Sequence, residues 1–527
     1  MILCLFSITA YSGEGSSFIK DGDRVGFFGD SITAHKVYGQ LVERIFRHSH
    51  PEAKVEFVNN GQSGLQLSGT KIKQLLKGDP NVITIMIGMN DAINSNWVKG
   101  DPIEPKVEKY RTELTALVRG LKEKNKIVVI MSPTLTDETV GASYFRLEGT
   151  EALLKKMGKV CEEVAKKESV FFVPVQSDFD EYELSLPRYA LLRPDGVHPN
   201  ARGHYQIARS LWTHLNLGAP LAGKRIVESS PKVLAIDMAP TTNIQLDDSK
   251  PIFLNLKTKA RGAVKLTWSS GKEKGTLSLK LTGKDVWALP LPKASLPQKA
   301  GTSAALVVEL EHQGIRKFFI VDLFRKAVIH GKDGKAKANI TDDKGKILAS
   351  YSFAKEGKGL RFEVSFFKDN VVHIPGSMWP WGRGDFVNLL LDLRDQSHFG
   401  DLGYDGDVYQ IWFNPQDKPY FTPGFIPWAG KHMSKIATPY GERNAKGYTV
   451  GMLLSGNINI QEKVDYSKRK FIGFDLSLKY AESKKKQKTL NMQKYDRHAF
   501  LYPGTFTLVD LYGEIKKDSA MTLSVFP

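Results

Sequence analysis

Between residues 20 and 217, short apolar runs alternate five times with amphipathic stretches of helical period, and this restricts the fold of the 527-residue chain more than any other feature. Runs rich in β-formers at 24–29, 54–59, 82–88, 127–132 and 170–175 predict strands. Helical spacing of apolar residues predicts helices at about 35–47, 66–77, 105–124, 147–167 and 200–215. Continuously apolar strands separated by helices call for a parallel sheet covered on both faces, a flavodoxin-like three-layer α/β domain. With the common strand order 2-1-3-4-5, the first strand is central. The loops after strands one, two and three then meet at the switch point where ligands bind.

Those loops carry reactive and polar residues. The run Val25-Gly26-Phe27-Phe28 ends in Gly29-Asp30-Ser31, which places Ser31 on a strand-to-helix turn. Free backbone N–H groups and the helix dipole there favour developing negative charge, so Ser31 is a candidate nucleophile. Gly-Asp-Ser is also an ordinary way to start a helix, with Asp or Ser as N-cap. After strand two comes Asn59-Asn60-Gly61-Gln62-Ser63-Gly64, a tight turn expected to leave the Gly61 N–H uncovered. Strand three is followed by Gly88-Met89-Asn90-Asp91, which brings an amide side chain to the same rim. Beyond strand five lies Asp195-Gly196-Val197-His198-Pro199-Asn200, leading into a helix capped by Asn200 and built on Ile207, Leu211 and Leu215. Singly, each stretch reads as a turn, a cap or a polar loop. Together they occupy one edge of one sheet. His35 and His204 compete with His198 as a base and are expected on a helix surface or beside the site.

Gly29-Asp30-Ser31, Asn59-x-Gly61-x-x-Gly64, Gly88-x-Asn90-Asp91 and Asp195-x-x-His198-Pro199 stand in the order and approximate spacing of the four blocks of SGNH, or GDSL-like, hydrolases. The resemblance covers residues 20–217. It implies a serine ester hydrolase with Ser31 as nucleophile, His198 as base and Asp195 orienting the histidine. It also implies an oxyanion hole made by the Ser31 and Gly61 N–H groups and the Asn90 side chain. No cofactor or metal is implied. The chain has no His-Glu-x-x-His or Cys-x-x-Cys pattern, and no obvious carboxylate calcium loop falls in this domain.

No apolar run approaches the roughly 18–20 residues of a membrane span. The apolar start, Met1 to Ser12, resembles the core of a secretory signal without its basic region, and residues 1–19 are read as a leader. That predicts a secreted, periplasmic or cell-surface protein. Without the leader Cys161 is the sole cysteine, which excludes an intramolecular disulfide. The net charge of +17 is uneven: residues 1–220 hold 27 Lys and Arg against 26 Asp and Glu, residues 221–527 hold 47 against 31. No nucleic-acid motif accompanies the lysines, so no nucleic-acid partner is expected. An anionic polysaccharide or cell surface would be attracted equally well.

After a linker at Pro220 to Arg225, residues 225–330 show alternating runs such as Val264-Lys265-Leu266-Thr267-Trp268 and predict a small all-β domain, a spacer or docking unit. Residues 335–527 predict a β-sandwich. Its stretches at 359–364, 389–394, 409–413, 448–453 and 472–476 look like the sandwich of family 9 carbohydrate-binding modules. Trp379, Trp381 and Trp428, in Gly/Pro-rich loops, are candidate sugar platforms, because pyranose C–H faces stack on flat apolar rings. Trp412 alternates within a strand and is expected in the core. The combined reading is a multidomain, exported esterase that removes acetyl or another small acyl group from an acylated polysaccharide or oligosaccharide, with the basic C-terminal half favouring an anionic one. Two alternatives remain: a lysophospholipase, lipase or thioesterase with the same triad, and a glycan-binding surface protein with a vestigial hydrolase domain.

Overall fold

The computed structural model describes residues 16–93, 102–138, 148–183, 191–193, 195–227, 236–238, 253–258, 261–270, 273–282, 287–290, 302–312, 315–325, 327–342, 344–368, 386–393, 408–414, 420–422, 437–444, 447–454, 469–481, 487–491, 507–512, 514 and 521–526.

In the first domain β1 (Arg24–Gly29) leads through a single-turn α1 (Ser31–Ala34) into α2 (Val37–Ser49) and β2 (Glu56–Asn59). A one-turn α3 (Ile72–Leu75), β3 (Val82–Met86), a short α4 (Met89–Ile93), α5 (Glu104–Lys122) and β4 (Ile127–Met131) follow. The domain closes with α6 (Thr150–Glu168), β5 (Phe171–Val173), α7 (Val175–Glu183) and α8 (Ala201–His214). The five strands form one parallel sheet in the order β2-β1-β3-β4-β5, the order expected from sequence. Every residue of β3 is buried, as a strand covered on both faces requires. Because β1→β2 and β3→β4 run in opposite directions across the sheet, right-handed crossovers put α2 and α5 on opposite faces. α2 pairs with α8 and α5 with α6. On α2 the buried Val37, Tyr38, Leu41, Val42, Ile45 and Phe46 form the face that the apolar spacing predicts.

The predicted 35–47 helix is present as α2; the single turn α1 precedes it, and Lys36, with a φ of 67°, lets the chain turn from one into the other. One predicted helix differs: the 66–77 segment is only a 3-10 turn at Leu67–Gly69 followed by α3. Ser68-Gly69-Thr70 are poor helix formers, and the Thr70 hydroxyl donates to Gln66 O instead. Residues 16–19, read above as part of a leader, pack into the folded domain: Phe18 and Ile19 are 0% and 2% exposed in its core, and Phe18 N–H donates to Leu215 O.

The remaining strands are β6 (Ile236–Met238), β7 (Phe253–Thr258), β8 (Arg261–Ser270), β9 (Glu273–Thr282), β10 (Trp287–Pro290), β11 (Thr302–His312) and β12 (Ile315–Arg325). Next come β13 (Val328–His330), β14 (Lys335–Thr341), β15 (Ile347–Glu356), β16 (Gly359–Phe366), β17 (Phe386–Asp392), β18 (Val408–Asn414) and β19 (Tyr420–Thr422). The chain ends with β20 (Ala437–Asn444), β21 (Gly447–Leu454), β22 (Phe471–Ala481), β23 (Gln487–Asn491), β24 (Thr507–Asp510) and β25 (Met521–Phe526).

The middle region holds a three-stranded sheet, β10-β7-β6, and a five-stranded sheet, β25-β12-β11-β8-β9. The edge strand of the latter comes from the end of the chain, where Val525 pairs with Val321. A third domain running unbroken from 335 to 527 therefore does not follow the strand pairing. The middle sheet is also more than a spacer. Val307, Phe318 and Ile320 join the core of the α/β domain, Phe318 packs edge-on against Trp212 at 4.3 Å, and Tyr205 OH donates to Phe318 O at 2.9 Å.

The last region is a β-sandwich. A sheet in the order β13-β24-β22-β17-β18-β19, with β23 on β22, faces the sheet β14-β15-β16-β21-β20. Tyr351, Phe353 and Phe362 of one meet Leu389 and Phe474 of the other. Trp379, Trp381 and Trp428 lie outside the described residues, and Trp412 falls in β18. Among the described residues no helix is long and apolar enough to cross a membrane.

Candidate active site

Ser31 opens α1 where the central strand β1 ends. Asp30 is its N-cap, with a carboxylate that accepts from Ile32 N–H at 3.0 Å. Ser31 N–H belongs to the first turn, which has no intrahelical acceptor for it. A Cβ on Gly29 would meet Met86 O at 2.2 Å, so a glycine lets β1 and β3 run close together just before the serine.

The Leu191–Asn200 segment supplies the partners. It folds back on itself through a Leu192–Pro199 bridge and a hydrogen bond from Arg193 N–H to His198 O at 2.7 Å. Within this tight loop Asp195 Oδ1 accepts from the N–H groups of Val197 (3.0 Å) and His198 (2.8 Å). Asp195 Oδ2 lies 2.8 Å from His198 Nδ1. His198 Nε2 lies 2.9 Å from Ser31 Oγ. Asn200 caps α8 by accepting from Gly203 N–H at 3.1 Å, as its place in the sequence predicts. The three side chains thus form a continuous hydrogen-bonded line.

Two buried carboxylates, one in this line and one next to Ser31, behave oppositely. Burial favours the neutral form of Asp195, but the His198 and Arg193 charges and the hydrogen bonds from His198 outweigh it and hold the carboxyl well below the usual range. An ionised Asp195 accepts a hydrogen bond from Nδ1–H, which leaves Nε2 as the acceptor for the Ser31 hydroxyl. At Asp30 burial prevails over the Ile32 hydrogen bond and the His198 charge, and the carboxyl rises to about 6.

The predicted oxyanion donors stand on the neighbouring loops. Gly61 passes over the end of α1 so closely that a Cβ would lie 2.3 Å from Ala34 N. Its N–H is not uncovered, as the turn predicts, but donates to Asn59 Oδ1 at 3.2 Å. Asn59 Nδ2 in turn donates to Thr33 O at 2.8 Å, and Gln62 N–H to Gly29 O at 2.9 Å, joining the second loop to the first. Asn90 Nδ2 donates to Leu65 O at 3.2 Å, joining the third loop to the second.

Both competing histidines lie behind His198. His35 caps the end of α1 with its ring 5.4 Å from that of His198, and the His204 ring is 5.9 Å from His35. His204 is wholly buried rather than on a helix surface, and desolvation, with the neighbouring His35, His198 and Arg193, pushes its pKa well below the ordinary histidine value. A ring whose protonated form is so disfavoured accepts a proton poorly, so His204 is a weak rival for the base. Arg193, with Nε 3.9 Å from Asp195 Oδ2, and Asn59 have contacts that sequence reasoning did not assign. Their proximity to Asp195 and the Gly61 turn is the only signal of it in the sequence.

Residues 27–206 match the family model of GDSL-like lipases/acylhydrolases. The match supports a GDSL-like lipase/acylhydrolase domain at residues 27–206, about a third of the chain. Among solved structures the chain is similar to an acetylxylan esterase, Axe2, from Geobacillus stearothermophilus, at 24% identity over 40% of this chain and 99% of that one, with a TM-score of 0.33. It is also similar to LAE5, an α/β hydrolase enzyme from the metagenome of Lake Arreo, Spain, at 22% identity over 40% of this chain and 100% of that one, with a TM-score of 0.32. No curated protein matches the chain.

Proposed function

We propose that the protein is an exported serine esterase that removes acetyl or another small acyl group from a polysaccharide. The observation that carries the catalytic part is the line Ser31–His198–Asp195, with successive contacts of 2.9 and 2.8 Å. Ser31 Oγ attacks the acyl carbon while His198 Nε2 takes the hydroxyl proton, and Asp195 stabilises the imidazolium that forms. The tetrahedral intermediate collapses to an acyl-serine as His198 returns the proton to the leaving alcohol. Water, deprotonated by the same nitrogen, then releases the acid.

The oxyanion is held by Ser31 N–H, Gly61 N–H and the Asn90 amide. A negatively charged oxygen is a stronger acceptor than the amide oxygen of Asn59, so the 3.2 Å Gly61 contact yields to it or is shared with it. The Leu65 bond on one Asn90 N–H sets the direction of the other.

The glycan part rests on the likeness of residues 335–527 to a carbohydrate-binding sandwich, with Trp379, Trp381 and Trp428 as stacking residues. The basic C-terminal half favours an anionic polymer, and retention on it should weaken with salt, which screens exposed charges over roughly 8 Å at physiological ionic strength. Export rests on the apolar start of the sequence.

The test is acetate release from acetylated acidic and neutral polysaccharides, beside para-nitrophenyl esters from acetyl to octanoyl. Ser31-dependent release from a polymer, with acetyl preferred over octanoyl, is expected. Cleavage of long-chain esters alone would transfer the reading to a lipolytic enzyme.

A further inference from the structure

The Asp91 carboxylate takes no part in the proton relay, yet both its oxygens face one backbone group: Leu67 N–H lies 2.9 Å from Oδ1 and 3.2 Å from Oδ2. Leu67 and its near neighbour Leu65 are buried in the domain core, and Gln66 between them is half-buried. Gln66 Nε2 reaches back to donate to Asn90 O at 3.1 Å, and Asn90 Nδ2 donates to Leu65 O at 3.2 Å. Three consecutive residues of the second loop are thus tied to two consecutive residues of the third. The base of the third loop is held separately by Tyr110 OH, which donates to Ile87 O at 2.7 Å.

Resting on the esterase reading above, we infer that Asp91 is a positioning residue for the oxyanion hole: with Gln66 it latches the Asn90 segment to the loop carrying Gly61, and so sets the spacing of two of the three donors. The physical need is plain. Neither loop belongs to the sheet ladder at this point, since β2 ends at Asn59 and β3 at Met86, and neither strand pairs with the other because β1 lies between them. Their side chains must therefore supply the cross-links that strands would otherwise supply. An oxyanion donor works only if it is in place before charge develops. A misplacement of about 1 Å can cost on the order of 10²-fold in rate. Asp91 costs something to keep there. Burial, with the Glu113 and Asp30 charges, pushes its carboxyl up to about 7 against the Leu67 hydrogen bond.

The experiment uses the full-length protein and para-nitrophenyl acetate, measures kcat and KM separately, and checks folding by thermal melting. Asp91→Ala is expected to lower kcat by about 10- to 100-fold with KM nearly unchanged. Asp91→Asn keeps an acceptor for Leu67 N–H and is expected to restore most of the rate. Because Asp91 acts through Asn90, the Asn90→Ala/Asp91→Ala double variant should be scarcely slower than Asn90→Ala alone. Wild-type kcat in a folded Asp91→Ala protein, or losses that multiply in the double variant, would overturn the latch. Should Asp91→Ala not fold, Gln66→Ala decides in its place: a kcat lower by roughly fivefold supports the latch and an unchanged kcat overturns it. A Ser31→Ala control separates the two levels. If it retains activity the esterase reading itself fails, whereas an inactive Ser31→Ala beside a fully active Asp91→Ala removes only the latch.

Discussion

The α/β domain and the C-terminal sandwich both bury large apolar cores, yet they place polar residues in opposite ways. In the parallel sheet, β3 is buried along its whole length, and the hydrophilic side chains around Ser31 collect in loops at one end. In the sandwich, β14 alternates exposed and buried positions along its length, so one face of a strand is available for polar or binding residues. A doubly covered sheet has only its ends on which to build a site. A sandwich can bind along a face, and such a surface is spread over residues far apart in sequence. The first arrangement leaves compact motifs in the chain, whereas the second leaves only a rhythm.

Four changes would sharpen or break this contrast. The largest effect is expected from Ser31→Ala, which should reduce turnover of para-nitrophenyl acetate by about 10⁴-fold or more with little change in melting temperature. Residual turnover near wild type would separate the site from the sheet end. Phe353→Ala should do the reverse. It empties a position 1% exposed, packed 4.8 Å from Phe474 and 5.0 Å from Phe362, and should cost the sandwich about 3–5 kcal/mol in denaturant unfolding while kcat on a small ester stays constant. If kcat fell in parallel, the two regions would not be independent.

Asp30→Asn tests the polar end of the sheet for strain. With its folded-state carboxyl at about 6, the native protein binds a proton that the unfolded chain has already released between the ordinary carboxylate value and 6. Stability should therefore fall as pH rises through that window. Asn keeps an acceptor for Ile32 N–H without the charge, so it should stabilise by about 1–3 kcal/mol at pH 8 and much less at pH 4, read from urea midpoints at the two values. Asp195 has the opposite sign: its contribution is present above the ordinary carboxylate range and is lost as pH falls through its lowered pKa. Smallest is Tyr205→Phe, which removes the bond to Phe318 O and should loosen the contact with the middle sheet by about 1 kcal/mol in the same unfolding assay. No change at all would argue that the two regions merely touch.

Much of the first domain was legible. The five strands lie within the predicted ranges and Asn200 caps its helix, because strand period, helix period and capping are all local properties; the order 2-1-3-4-5 matches the common order of such sheets rather than any local signal. Legibility failed where distance along the chain mattered. Phe18 and Ile19 fall inside the 1–19 segment read as a leader from the apolar Met1 to Ser12, but residues around Leu215 give them a core. Strand β25 pairs with β12 about 200 residues upstream, and nothing in Met521–Phe526 names that partner. Asp91 closes the Gly88-x-Asn90-Asp91 motif, but the sequence assigns it no role, since its acceptor oxygens meet a backbone N–H on a different loop.

By itself, then, the sequence determined a parallel α/β domain, followed by β-rich regions, and the residue types at each loop of its C-terminal edge. Those follow from periodicity, turn chemistry and propensity, which act over a few residues. Only the tertiary structure decided that Ser31 meets His198 across 167 positions, that Gly61 N–H is engaged by Asn59, and that the end of the chain completes the middle sheet. Such contacts arise when buried surfaces select one packing among many, and no local rule encodes which distant partner closes it.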